Sequence, residues 1–239
     1  MKIRYFQKGF NYSQDGPGNR LVIHMQGCNL HCPWCSNPEG MKLDGGVEED
    51  IKDLVNFIIS CKRLFLDGGG VTFTGGECTV QAEALKEVLT ICKENNIHTA
   101  IETNGTFSMP RDFYPLIDLI ICDFKHFDDK KLKEITGCVY DYKKNIIEYL
   151  KYGKDVLIRT VLINGFNTDD GDAEKFASFF DDKPTDNARF EFLLYHEYGK
   201  EKWKKLGLTY KVDNGFVSDK TREQFEEIYR KHGLKIIRS

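Results

Sequence analysis

A partial, open (β/α)6 TIM-like barrel with parallel strands is the α/β fold that three observations predict for this 239-residue sequence. Strand-like runs alternate with amphipathic helical stretches, which implies parallel pairing through βα crossovers. The runs Leu119–Phe124 (LIICDF) and Val156–Ile163 (VLIRTVLI) have the apolar character of strands covered on both faces. About six βα units fall short of the eight in a closed barrel, which takes ~250 residues. A doubly wound sheet is the alternative arrangement.

In chain order the strand candidates are Arg20–Met25, Val71–Phe73, His98–Ile101, Leu119–Phe124, Val156–Ile163 and Phe190–Leu194. Between them helices are expected over Glu48–Arg63, Gln81–Asn95, Asp129–Ile135, Tyr142–Tyr152 and Ala173–Phe180. In the second of these, Leu85, Val88, Leu89 and Cys92 share one face at helical spacing. A further helix, Thr221–His232, and a short apolar stretch, Leu234–Ile237, follow. No repeat or linker-like composition break interrupts the chain. A single domain over 1–239 is expected, with a C-terminal extension from about 202.

A 41% hydrophobic content interleaved with 30% charged residues excludes disordered and low-complexity classes. The 34 basic and 37 acidic residues are mixed along the chain, so no basic stripe points to nucleic acid. No run of apolar residues is long enough to span a membrane, and the first residues lack the apolar core of a signal peptide. A cytoplasmic protein is expected. Eight cysteines are too few and too uneven for a disulfide scaffold. Cys61, Cys78, Cys92, Cys122 and Cys138 are scattered and read as small buried hydrophobes.

In a parallel sheet, chemistry gathers at the carboxyl ends of the strands. The suggestive residues do follow the strand runs: Cys28, Gly75-Gly76-Glu77, Glu102-Thr103-Asn104-Gly105, Asp123 and Lys125, Asn164-Gly165, and Tyr195-His196-Glu197. The stretch from Gly27 to Asn37, GCNLHCPWCSN, places Cys28, Cys32 and Cys35 at C-x3-C-x2-C. Thiolates so close in sequence can wrap one inorganic centre, and they suit zinc or iron–sulfur clusters. A structural zinc site needs four ligands, and no second cysteine pair at zinc-like spacing is present. Three cysteines on a [4Fe-4S] cluster leave one iron open, free to hold a substrate or cofactor.

This spacing, with an aromatic residue before the last cysteine, resembles the signature of the radical S-adenosylmethionine (SAM) superfamily. The resemblance extends to the activating enzymes of glycyl-radical enzymes, of the pyruvate formate-lyase type. It is carried by Asp15-Gly16-Pro17-Gly18, GCNLHCPWCSNPE, GGGVTFTGGE, HTAIETNGT, CDFK, IRTVLINGF and LLYHEYGKEKW. It implies that one [4Fe-4S] cluster and SAM generate a 5′-deoxyadenosyl radical, which removes a hydrogen from a glycine Cα of a partner enzyme. Flavodoxin or ferredoxin is the implied electron donor. Larger activases carry an insert with two more clusters; the stretch from Pro38 to Ile51 has no cysteine and no room for one. The alternatives are a radical SAM enzyme acting on a small molecule or on anaerobic ribonucleotide reductase, and a non-catalytic iron–sulfur or zinc module.

By the same resemblance, Trp34, Ser36 and Asn37 line the SAM pocket, and Gly75, Gly76 and Glu77 receive the methionyl ammonium. Lys125 faces the SAM carboxylate and His196 the ribose or adenine. Arg159 orients SAM or the glycine loop. Glu102 contacts the ribose. Glu102, Thr103 and Asp123 match the ligands of a monovalent cation, with Glu102 standing where relatives usually have Asp. On charge alone these carboxylates could instead form ion pairs with Lys125 or Arg159.

Overall fold

The computed structural model describes residues 1–239. The chain runs β1 (Lys2–Tyr12), β2 (Asn19–Met25), β3 (Val47–Asp50), α1 (Ile51–Ser60), β4 (Gly70–Gly75), α2 (Ala82–Glu94), β5 (His98–Thr103) and β6 (Leu119–Asp123). It continues with α3 (Asp129–Thr136), α4 (Tyr142–Tyr152), β7 (Val156–Leu162), α5 (Asp172–Ser178), β8 (Ala188–Leu194), α6 (Lys200–Lys205) and α7 (Asp219–Lys231). All strands lie in one open sheet of order β3-β1-β2-β4-β5-β6-β7-β8. From β2 to β8 every pairing is parallel, the six-strand unit read from the sequence.

Three elements lie outside the expected set. β1 pairs antiparallel with β2 and β3. Only its start is buried, at Ile3 and Tyr5, so a period-two signal covers just a few of its residues. The helix expected from Glu48 begins at Ile51, because Val47–Asp50 pair with Lys2–Tyr5 as β3. α6 has the sequence KEKWKK, whose single apolar residue leaves no periodicity to read.

The outer faces of the strands pack on the helices in a main core that includes Ile23, Phe73, Ile101, Cys122 and Ile158. Inside the barrel, Ala100, Leu119, Ile121 and Leu157 form a second apolar layer with Ile237 packed against it. The stretch after α7 reaches that position by bridging to β8 at Phe190. Above this layer the inward positions turn polar: Thr74, Glu102, Asp123, Arg159 and Glu191. Strand register sets Asp123 beside Arg159, and Arg159 beside Glu191.

His232 ties α7 to α5, with Nε2 2.8 Å from Glu174 Oε1 and Nδ1 2.5 Å from Asp181 Oδ1. Hydrogen bonds to Asp181 and Glu174 raise its pKa above the ordinary imidazole value. The imidazolium therefore stabilises the fold fully below about pH 6.5, and that contribution is lost as pH rises through the raised value. The gap in thermal midpoint between wild type and His232→Gln is expected to shrink from about pH 6 to about pH 8. A constant gap would mean that charge plays no part.

Candidate active site

The segment from Gly27 to Asn37 has almost no regular structure, so its backbone polar groups need partners elsewhere. Gly27 N donates to Gly40 O (2.9 Å), Glu77 N to Gly27 O (2.7 Å), and His31 N to Thr136 O at the end of α3 (2.9 Å). Asn29 is held by Asn104 Nδ2, which donates to its Oδ1 (2.9 Å), and by its own Nδ2, which donates to Thr106 Oγ1 (2.7 Å). From α6, Trp203 Nε1 donates to Cys35 O (2.8 Å) and Lys202 Nζ to Asn37 Oδ1 (2.9 Å). Substituting Trp203→Phe removes that one bond while keeping most of the packing. It is expected to cost about 1 kcal/mol and to raise the hydrogen exchange of the loop; unchanged exchange would count against the clamp.

Two glycines bring β4 against this loop. A Cβ on Gly76 would lie 2.2 Å from Gly27 O and 2.5 Å from Gly40 O, and Gly75 has φ +114°. No other residue tolerates both demands.

Cys28, Cys32 and Cys35 line one cavity of about 220 Å³. Facing them are Thr74, Gly75 and Gly76 at the end of β4, Glu102, Thr103 and Asn104 at the end of β5, and Asp123 and Lys125 at the end of β6. Trp34, Ser36 and Asn37 complete the rim, and the Trp34 ring packs on Phe166 at 4.7 Å between centroids. Leu30 N donates to Cys28 Sγ and Asn37 N to Cys35 Sγ, both at 3.4 Å. Burial pushes the thiols up, to about 11 at Cys28 and Cys35 and about 12 at Cys32. Metal coordination overcomes such a penalty, since a bound thiol is deprotonated outright. No three His, Cys, Asp or Glu side chains converge closely enough to hold a single metal ion. Soft donors spread around a cavity, two of them with N–H groups already on sulfur, fit a polynuclear iron–sulfur cluster better than a structural zinc.

Lys125 lies 2.5 Å from Asp123 Oδ2. Burial works against its ammonium, but Asp123 together with the Cys32 and Cys28 sulfurs outweighs burial and holds it charged. Glu102 accepts from Thr74 Oγ1 (2.7 Å) and pairs with Arg159 Nη1 (2.9 Å). The ion pairs the sequence left open are thus formed, and both carboxylates expected at a monovalent cation already have a cationic partner.

Three of the expected contact residues stand outside the cavity lining. Glu77 is buried, and its carboxylate accepts from Thr79 N (3.1 Å), Thr79 Oγ1 (2.6 Å), Thr103 Oγ1 (2.8 Å) and Asn104 N (2.7 Å). It organises the β4 and β5 ends and has no free oxygen for an ammonium. Glu77→Ala strands these buried donors and is expected to lower stability by about 2–4 kcal/mol, read from the denaturant midpoint. A loss below about 1 kcal/mol would show that water replaces the carboxylate. Arg159 is committed to Glu191 Oε2 through Nε (2.8 Å), to Glu102, and to Gln14 O. His196 is half-buried and stacks on Tyr198 at 4.1 Å. Thr74, Lys202 and Trp203 were not singled out by sequence, and Asn104 stood out only as part of the run at the end of β5. Their motifs were visible, but pairing across such separations is a tertiary fact.

The sequence profile of the radical SAM superfamily matches residues 22–180. The chain belongs to the radical SAM superfamily. It is 36% identical to the pyruvate formate-lyase-activating enzyme of Clostridium pasteurianum over 228 residues, 92% of this chain and 94% of that protein. It is 33% identical to the pyruvate formate-lyase 1-activating enzyme of Escherichia coli K12 over 236 residues, 93% of each. Among solved structures, a domain of the pyruvate-formate lyase-activating enzyme from Bacteroides vulgatus matches with TM-score 0.58 and 25% identity, covering 71% of this chain and 98% of that one. Streptococcus suis SuiB with its precursor peptide shares the fold, at TM-score 0.68 and 18% identity over 91% of this chain and 48% of that one. As a radical SAM protein it uses a [4Fe-4S] cluster and SAM. No helix is long and apolar enough to cross a membrane.

Proposed function

We propose that this protein installs a glycyl radical on a partner enzyme of the pyruvate formate-lyase type. The observation that carries the reading is the one cavity in which three cysteines face Lys125, Asp123 and Glu102 at strand carboxyl ends. When bound, the reduced cluster supplies one electron that splits SAM into methionine and a 5′-deoxyadenosyl radical, which takes hydrogen from the glycine Cα.

Cys28, Cys32 and Cys35 hold three irons of one cluster per chain. Lys125 pairs with the SAM carboxylate, and backbone carbonyls around Gly75 and Gly76 accept from its ammonium. Trp34, Ser36 and Asn37 flank the nucleoside. Glu102 reaches the ribose, and His196 closes the pocket from the rim. Arg159 acts through Glu102 and so is a positioning residue; Glu77 is a scaffold for the strand ends. Glu102, Thr103 and Asp123 offer oxygens to a monovalent cation, which potassium titration of SAM binding tests. The 239 residues act as a single domain, in the cytoplasm, with flavodoxin or ferredoxin as donor.

The test is anaerobic incubation of the reduced, reconstituted protein with SAM and pyruvate formate-lyase. A glycyl-radical doublet in electron paramagnetic resonance is expected, with about four irons per chain. SAM cleavage without a doublet on any glycyl-radical enzyme would instead favour a small-molecule substrate.

A further inference from the structure

A fully buried histidine, His126, follows Lys125 directly and has no part in the roles above. The ladder between β6 and β7 ends at Asp123 and Arg159, with one last bond from Phe124 N to Arg159 O. Beyond it, side chains rather than strand pairing fix the backbone. The Tyr142 hydroxyl, on α4, donates to His126 O and accepts from His126 N. Asn167, also fully buried, donates through Nδ2 to Lys125 O (3.2 Å) and Val161 O (2.8 Å), and its Oδ1 accepts from Ile163 N (2.8 Å).

The imidazole joins two further segments. Its Nδ1 accepts from Asp128 N (2.9 Å) at the start of α3. The ring proton therefore sits on Nε2, which donates to Phe166 O (3.0 Å) in the turn after β7. Burial pushes the imidazole pKa below its ordinary value and so keeps this neutral form. Phe166 packs on the imidazole at 5.1 Å between centroids and on Trp34 at 4.7 Å. Lys131 Nζ also reaches Phe166 O, at 3.3 Å, but Asp169 Oδ2 shares it at 2.9 Å. Trp34 and Lys125 both line the cysteine cavity, and no strand pairing joins them.

We propose that His126 is a positioning residue for SAM. As the Nε2–H tautomer it ties the turn that carries Phe166 to the peptide that follows Lys125, and so fixes the Trp34 ring and the Lys125 ammonium relative to each other. The inference rests on the SAM contacts proposed above for those two residues. A ligand held at both its carboxylate and its nucleoside binds less tightly when the span between them is loose, because binding must then order the turn.

The test is a pair of substitutions that each keep one of the two bonds. His126→Asn leaves a carbonyl where Nδ1 accepts from Asp128 N, and its amide is too short for Phe166 O. His126→Gln places an amide N–H within reach of Phe166 O and gives up the Asp128 bond. Both lose the ring, so both lose similar packing. With the cluster reconstituted, calorimetry should show SAM bound about tenfold more weakly by His126→Asn and within about threefold of wild type by His126→Gln. The KM for SAM in reductive cleavage should follow, with kcat within about twofold of wild type. Amide hydrogen exchange of the turn from Ile163 to Asn167 should rise in His126→Asn alone, with or without the cluster. Nitrogen NMR of the wild-type imidazole, which needs no variant, should show a neutral ring protonated at Nε2. A ring protonated at Nδ1, or two variants that bind SAM alike, would overturn the proposal. If Lys125→Met binds SAM as tightly as wild type, the SAM contacts proposed above fall, while the exchange of the turn still decides the tether.

Discussion

Substitution of Cys32 by alanine is expected to abolish cluster assembly and, with it, SAM cleavage. Cys32 lines the cavity between Cys28 and Cys35 and is one of only three thiols there. Losing an outer partner of a metal ligand typically costs ~10–100-fold in affinity or activity; losing the ligand should exceed that. Iron retained after anaerobic reconstitution and desalting should fall to background, and the visible absorption of the cluster should vanish. Cys32→Ser should not rescue it, because a hydroxyl is a harder and far less acidic donor. Cys92→Ala is the matching control. That thiol lies on the inner face of α2, fully buried in the main core, so its loss should lower stability modestly and leave iron content unchanged. Normal iron in Cys32→Ala would remove the basis of the proposed cluster.

The second large effect is expected at Arg159. Its side chain is 6% exposed, and the guanidinium joins Glu191, whose side chain is 2% exposed, to Glu102 at the cavity wall. Burial opposes its charge, and the two carboxylates outweigh burial to hold it protonated. Glu191 in turn accepts from Ser239 N (2.7 Å) and Ser239 Oγ (2.6 Å). Arg159→Met leaves buried carboxylates without their cation, which typically costs about 3–5 kcal/mol. The denaturant midpoint should drop accordingly, and the KM for SAM should rise as Glu102 loses its anchor. Arg159→Lys keeps the charge but not the planar fork that reaches both carboxylates, so it should rescue stability only partly. Arg159→Met combined with Glu191→Leu should recover part of the stability but not the KM. A single Arg159→Met protein with wild-type stability and KM would refute the positioning role.

How much of this was legible in the sequence depends on the range of the signal. The six parallel strands were readable because short apolar or β-branched stretches, most clearly LIICD in β6 and VLIRTVL in β7, alternate with helical ones. β1 was not, since its first residues are buried and the rest turn to solvent. α6 was hidden for a related reason: its one apolar residue, Trp203, is buried on the cysteine loop, a contact 168 residues back in the chain. Glu77 shows the opposite failure. The motif GGE was visible, but whether its carboxylate faces a ligand or the β5 end depends on the path of Asn104 and Thr103. Arg159 was placed in the barrel interior by its strand, yet its partners became known only with the register of β6, β7 and β8.

By itself the sequence determined the fold class, the three-cysteine loop and the strand ends at which chemistry collects, because these are local: consecutive residues, fixed spacings, one period per strand. Only the tertiary structure decided which charges meet in the cavity, which are spent on one another, and how α6 locks the loop from far along the chain. Ion pairs and long-range hydrogen bonds are set by strand register and packing. A single sequence does not encode them as a pattern along the chain.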